Sequence, residues 1–164
     1  MTTDDDLSPE RATRIADAIE DIERNVSGLK RYRELSRSEY RAEGALDRRE
    51  AVERKFEKLI AATVDVAETI LAAQRGSVPG RRKDAITGLE REGIIDEQLA
   101  NKLREAVGFR DVLAHTYGPI INDDIVYDAL QNSLDRYVEF AAAVDTYLRA
   151  AIEERDGRAG GPDR

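Results

Sequence analysis

Apolar residues recur at steps of three and four along most of the chain. That spacing brings its members to one face of an α-helix, because a helix has 3.6 residues per turn. From Ser8 to about Arg37 it predicts a first helix, with Ser8 as N-cap and Pro9 at the first helical position. The apolar stripe of this helix consists of Ile15, Ile19, Ile22, Val26 and Leu29. The sequence therefore predicts an all-α protein whose helices bury such stripes against one another.

Four further helices follow from the same spacing. The second is predicted from about Leu46 to Gln74, and a short helix from about Lys83 to Glu92. A fourth begins after Asp96, a suitable N-cap, and a long last helix begins with Asn122 as its cap and runs to about Ile152. The prediction is a helical bundle of four long helices and one short helix.

The composition agrees with a single helical domain. Aromatic residues make up only 5% of the chain and Trp is absent, which suits helices better than a β-sheet. We expect the domain to span residues 1–154, because the last ten residues, 155–164, offer no apolar anchor and are predicted to form a disordered tail.

Several classes of protein and site are excluded by composition. The chain has no cysteine, so disulfides, thiol nucleophiles, cysteine-based zinc sites and iron–sulfur clusters are not expected. It has no run of 18 uncharged apolar residues, and its start is acidic where a signal peptide would be basic. We therefore expect a soluble, cytoplasmic protein without membrane contact.

The charge is unevenly distributed. The net charge of -8 argues against a sequence-independent nucleic-acid binder, and we expect no DNA partner. One basic cluster, the segment "RGSVPGRRK" that begins at Arg75, contains no acidic residue. It is either a solvated turn with charges at helix ends or an edge that contacts phosphate.

The segment "GFRDVLAHTYGP", residues 108–119, contains the only histidine of the chain. His115 lies five residues after Arg110 and two before Tyr117, and Gly118 with Pro119 predicts that the fourth helix ends here. A five-residue step corresponds to about 140° around a helix, so Arg110 and His115 would not share a face. Either the helix unwinds before His115 or a second chain completes the site.

Arginine and histidine together suit one chemistry. RNA cleavage without a metal needs a base for the 2′-hydroxyl, an acid for the leaving oxygen and a cation beside the phosphorane. Histidine can serve as the base and the acid, and arginine as the cation. One histidine cannot supply a zinc site or the Glu-x-x-His pairs of a di-iron bundle, and the sequence has no phosphate-binding glycine loop and no G-x-S-x-G. An Arg–His pair at this spacing can also be merely structural.

The motif R-x-x-x-x-H-x-Y at the end of the fourth helix, preceded by "GIIDEQLANKLREAVGFRDVLAH" and followed by a long helix, resembles the HepT-like branch of the HEPN superfamily. The resemblance extends from the first helix to about residue 150. It implies an all-α, HEPN-like homodimer in which the motifs of the two subunits meet in a cleft.

The same resemblance implies a function. Proteins of this kind are toxins of type VII-like toxin–antitoxin pairs: metal-independent endoribonucleases, encoded beside a minimal nucleotidyltransferase antitoxin that transfers AMP to the motif tyrosine. Carried onto this sequence, Arg110 and His115 would be catalytic, Asp111 would support them and Tyr117 would accept AMP. We expect no cofactor and no metal. The RNA phosphates would be gathered by nearby cations, for which the candidates are Arg81, Arg82, Lys83, Lys102 and Arg104.

An alternative function of a different class stays open. The chain could be a non-enzymatic helical module that binds a nucleotide or another protein. In that case Arg110 and His115 would bind a nucleotide or shape the dimer interface, and Tyr117 would pack its ring and hydrogen-bond its hydroxyl.

Overall fold

The computed structural model describes residues 7–114 and 119–159, which form seven α-helices and two short 3₁₀ turns without a strand. The predicted all-α bundle is therefore confirmed. The helices are α1 (Pro9–Lys30), α2 (Arg37–Arg41), α3 (Leu46–Arg75), α4 (Arg82–Arg91), α5 (Glu97–Ala114), α6 (Pro119–Asn132) and α7 (Asp135–Ala159). The helices α1, α3 and α5 and the short α4 were predicted, α6 and α7 were predicted as one long helix, and α2 was not predicted.

The core lies between the long helices. The stripe predicted for α1 is buried, and it packs against α3 and α7. Among the largest fully buried side chains are Phe56 on α3 and Tyr137 and Phe140 on α7. The short α4 packs between α3 and α5. None of the described helices combines the length and apolarity needed to cross a lipid bilayer.

Local signals set several helix ends as predicted. The Ser8 hydroxyl accepts a hydrogen bond of 3.2 Å from the Arg11 N–H and so caps α1. The Asp96 carboxylate accepts one of 2.8 Å from the Leu99 N–H at the start of α5. α3 ends at Gly76, whose φ of 70° is in the left-handed region that glycine adopts without strain.

The first helix is shorter than predicted. α1 ends at Lys30, a 3₁₀ turn follows at Arg31–Glu34, and α2 begins after Ser36. The prediction of a helix to Arg37 was wrong because Ser36 and Glu39 form a capping box, which starts a new helix and stops the old one. We call the stretch from residue 31 to residue 45, between α1 and α3, the connector.

The long last helix is in fact two. α6 ends at Asn132 and α7 begins at Asp135, with a break at Ser133 and Leu134. Leu130, Leu134 and Tyr137 are all buried and keep steps of four and three across the break, so the apolar spacing did not reveal it. Asn122 lies inside α6 and is not its cap, because the helix already begins at Pro119, a residue favoured at the first helical position.

The C-terminal end also differs from the expectation. α7 continues to Ala159, five residues into the segment predicted to be disordered, and includes Gly157, a residue that weakens a helix without ending it. Residues 160–164 lie outside the described ranges. The division into a domain and a tail stays a prediction.

Candidate functional site

Arg110 lies near the end of α5, beside a groove between α3 and α5. The groove consists of two adjoining hollows that share Ala61 and Arg110. We call it the α3–α5 groove and define it by Arg54, Glu57, Lys58, Ala61, Asp65 and Glu68 of α3, Arg82 of α4, and Arg110 and Ala114 of α5. Arg110 itself is half-buried.

The helical spacing of α3 explains this groove. Its α3 residues recur at steps of three and four and form a stripe opposite the buried stripe that contains Phe56 and Ile70. Ala61 occupies the middle of the exposed stripe, and its small side chain leaves a depression against α5.

The basic side chains of the groove are not neutralised by described acids. In residues 7–114 and 119–159, Arg110 has no hydrogen bond or ion pair with another described side chain, and the same holds for Arg54, Lys58 and Arg82. The Arg110 guanidinium, with five N–H donors, is therefore available to bind an anion.

The two hollows differ in charge. Arg54, Lys58 and Arg110 line the hollow next to Ala114, with one acid, Glu57. The other hollow contains Asp65 and Glu68. Arg14 of α1 donates two hydrogen bonds to the Asp65 carboxylate, which offset its charge. The hollow next to Ala114 is thus the more basic of the two.

The motif residues are only partly described. Ala114 lines the groove and is the last described residue of α5, directly before His115. His115 and Tyr117 lie outside the described residues, and their predicted roles stay predictions, as do the two alternatives for their geometry. Asp111 is exposed on α5, next to Arg110 in sequence.

The structure separates the five cations predicted to gather phosphate. Arg82 lines the groove together with Arg110, and Arg81 and Lys83 are exposed beside it at the start of α4. The Lys83 Nζ approaches α5 at Gly108, where it lies 3.5 Å from the position that a Cβ would take, an ordinary contact distance.

Lys102 and Arg104 contact residues outside the groove. Arg104 donates hydrogen bonds to Thr87 and Glu90 of α4, each of 3.1 Å, and is 26% exposed. Lys102 lies 4.0 Å from Glu139 of α7. Neither of the two lines the hollows that contain Arg110.

Sequence reasoning missed Arg54 and Lys58. A signal was present: they are one helical turn apart in α3, and neither belongs to the apolar stripe. What the sequence could not give is the helix that this exposed face meets, because the pairing of α3 with α5 is a tertiary contact. Within the described residues, no group of three or more histidine, aspartate or glutamate side chains is arranged to hold a metal ion.

A family model described as Ribonuclease HepT-like matches residues 15–144. The chain belongs to this HepT-like family. The match covers most of α1, all of α2 to α6 and the first part of α7, so the family resemblance inferred from the motif is confirmed.

Two relatives in the HepT-like family carry descriptions of activity. The mRNA nuclease HepT of Shewanella oneidensis is 30% identical over 79 residues, which are 48% of this chain and 59% of the relative. The tRNA nuclease HepT of Aphanizomenon flos-aquae is 24% identical over 138 residues, 84% of this chain and 92% of the relative. The chain thus spans about three-fifths of the first relative and nearly all of the second.

Solved structures of HepT-like proteins share the fold. A crystal structure of the toxin–antitoxin complex MntA-HpeT superposes with a TM-score of 0.72 at 23% identity, covering 82% of this chain and 98% of that one. A tri-AMPylated HEPN toxin of Shewanella oneidensis, in complex with its MNT antitoxin, superposes with a TM-score of 0.71 at 23% identity, covering 81% and 97%. The HEPN-like bundle predicted from the sequence is confirmed.

Proposed function

We propose that the protein is the endoribonuclease toxin of a type VII-like toxin–antitoxin pair. Membership of the HepT-like ribonuclease family supports this, and both curated relatives are named as nucleases of RNA. The observation that carries the proposal is the half-buried Arg110, which has no ion pair with a described residue and faces the basic hollow next to Ala114.

The proposed reaction needs no metal. His115 removes the proton from a 2′-hydroxyl, and the resulting oxygen attacks the neighbouring phosphorus. The P–O5′ bond breaks, and the leaving oxygen takes a proton from an imidazolium, which leaves a 2′,3′-cyclic phosphate and a 5′-hydroxyl. The Arg110 guanidinium stabilises the extra charge on the phosphorane, and Asp111 supports the pair.

The site is proposed to form at a homodimer cleft. Two copies of the motif that face each other across a two-fold axis bring the arginine of one chain near the histidine of the other, whatever their angle within one helix. One histidine then acts as base and its mate as acid. A bell-shaped dependence of the cleavage rate on pH would support this division, and a single limb would contradict it.

Neutralisation is proposed to occur at Tyr117. The phenolic oxygen attacks the α-phosphorus of ATP in a reaction catalysed by the nucleotidyltransferase partner, and pyrophosphate leaves. The AMP group adds bulk and negative charge next to Arg110 and so repels RNA phosphate. The AMPylated state of the Shewanella oneidensis toxin supports this step.

Expression in cells, with and without the adjacent nucleotidyltransferase, tests the proposal. The wild type should stop growth and cleave RNA in the presence of a chelator, while Arg110→Ala and His115→Ala should do neither. Arg24→Ala, which removes an exposed cation of α1, is the matched control and should behave as wild type. Co-expression should add roughly 329 Da per AMP to the wild type and nothing to Tyr117→Phe. Equal growth with wild type and His115→Ala, both folded, would favour the non-enzymatic module.

A further inference from the structure

We propose that Arg54 and Lys58 of α3 bind the backbone phosphates of single-stranded RNA and extend the RNA-binding surface from Arg110 along the N-terminal half of α3. The inference rests on the proposed ribonuclease function and specifies where the RNA strand binds on the protein surface. Neither residue belongs to the motif.

The first support is position. Arg54 and Lys58 line the same hollow as Arg110 and Ala114, the last described residue before His115. They are one helical turn apart, which places them about 6 Å from each other along the helix axis. A strand that reaches Arg110 can therefore meet both cations in sequence.

The second support is the absence of local neutralisation. Arg24 and Arg149, two exposed arginines elsewhere, each pair with an aspartate of their own helix, at 2.8 Å and 2.9 Å. In the described part of the chain, Arg54 and Lys58 have no such pair. Like charges one turn apart repel each other and destabilise a helix. A bound phosphate would relieve this repulsion.

The third support is the contrast between the two ends of the α3–α5 groove. Glu68 lines the hollow near Arg82 and disfavours an anion there, whereas the charge of Asp65 in the same hollow is offset by Arg14. The strand should accordingly leave Arg110 toward Arg54 and Lys58. Arg82 should matter less to RNA affinity than either of these two residues.

Single-stranded RNA is the occupant that the chemistry favours. Attack by a 2′-oxygen requires that it lie in line with the P–O5′ bond, and a nucleotide held in an A-form duplex cannot rotate into that geometry. Single-stranded RNA is also the form whose bases and backbone are free to follow a protein groove.

Binding is measured on the full chain in a His115→Ala background, so that RNA stays intact. The probes are short, fluorescein-labelled single strands of oligo-U and oligo-A. Their binding is measured by fluorescence anisotropy over a range of salt concentrations. The test variant is Arg54→Gln with Lys58→Gln. The matched control is Arg91→Gln with Arg149→Gln, which changes the net charge equally at exposed positions outside the groove.

The test variant should bind both strands about tenfold more weakly, because phosphate contacts act independently of sequence. The slope of log K against log salt should fall by about 1.4, since each phosphate contact to a single strand contributes about 0.7. The control should stay within about twofold of the parent, and Arg82→Gln within about threefold. Arg54→Lys with Lys58→Arg, which keeps the charge, should restore most of the affinity.

Three results would overturn the inference. If wild type cleaves RNA while the test variant and the control have the same RNA affinity and the same salt dependence, Arg54 and Lys58 do not bind RNA, and the ribonuclease function stands. If the test variant keeps its RNA affinity but no longer binds the nucleotidyltransferase, the two cations contact protein. If wild type cleaves no RNA and the parent binds none, the proposed function fails together with the inference. Thermal melting of every variant shows that the comparison is made between folded proteins.

Discussion

Arg49 of α3 and Asp123 of α6 form an ion pair of 3.7 Å between side chains that are only 14% and 15% exposed. The same guanidinium donates hydrogen bonds to the carbonyl oxygens of Tyr40, at 3.1 Å, and Ala42, at 2.7 Å. One side chain thus ties α3 to the connector and to α6. Because Asp123 is the fifth residue of α6, this contact holds the start of that helix against α3.

Arg49→Ala should destabilise the protein. The substitution leaves the Asp123 carboxylate without this partner in a largely buried place and removes two charge-assisted hydrogen bonds, a loss of about 2 kcal/mol in the free energy of unfolding. Urea denaturation measures it. Arg24→Ala breaks an exposed pair in α1 and should cost less than about 0.5 kcal/mol. Equal effects of the two substitutions would show that Arg49 does not anchor α6.

The raised pKa of Glu53, one turn after Arg49, leads us to expect that the stability of the protein depends on pH. Burial raises the pKa of its carboxyl, and the nearby carboxylates of Asp123, Glu57 and Glu50 raise this pKa further, whereas Arg49 lowers it. A carboxyl whose pKa is higher in the folded state favours folding when protonated. Its contribution is full below the ordinary pKa of about 4.5 and is lost as the pH rises through the raised value.

Glu53→Gln, which mimics the protonated carboxyl, should therefore raise the melting temperature at pH 7, and the gain should disappear near pH 4. Melting curves across this range measure the difference from wild type. Glu20→Gln, on the exposed face of α1, is the control and should show no comparable trend. A gain from Glu53→Gln that stays constant with pH would contradict the titration of this group.

Gly88 allows α4 to approach α3 closely. A Cβ at this position would lie 2.6 Å from Cδ1 of Leu71, a fully buried side chain. Gly88→Ala should cost about 1–3 kcal/mol through overpacking, although alanine favours a helix over glycine by about 1 kcal/mol.

Gly157→Ala serves as the control for Gly88, because nothing lies within 4 Å of a Cβ there and the substitution should be neutral or stabilising. In a double-mutant cycle, Gly88→Ala with Leu71→Ala should cost less than the sum of the two single changes. Strict additivity would mean that the two side chains do not compete for the same space.

Arg104 should prove structural. Its contacts with Thr87 and Glu90 join α5 to α4, and it is absent from the lining of the α3–α5 groove. Arg104→Gln should lower the free energy of unfolding by about 1 kcal/mol and leave the RNA affinity of the His115→Ala protein unchanged within about twofold. A loss of RNA affinity without a loss of stability would instead show that Arg104 contacts RNA phosphate.

The long helices could be predicted because each has its own apolar stripe and several have clear start signals, such as Ser8 with Pro9 and the N-cap at Asp96. The break at Ser133 could not, since the side chains on either side keep helical spacing while the backbone does not continue as one helix. The short α2 depends on a capping box of two side chains, which is a weak signal within a polar stretch.

The candidate site was predictable to a similar extent. The motif gives Arg110 and its place near the end of α5, whereas the α3–α5 groove beside it was not predicted. Arg54 and Lys58 could be recognised only after α3 was seen beside α5, because their relevance depends on residues more than fifty positions away. The roles of His115 and Tyr117 stay predictions.

The combination of a net negative charge and a locally basic groove has a consequence for how long such an enzyme would stay bound to RNA. The net charge of -8 makes the average field of the protein repulsive to RNA phosphates, whereas the hollow next to Ala114 contains more cations than acids. Long-lived, nonspecific binding to bulk RNA is then unfavourable. Cleavage products that dissociate from the groove are not expected to rebind elsewhere on the protein surface. If the protein cleaves RNA as proposed, each molecule should therefore release its products quickly and cut many RNA strands in succession.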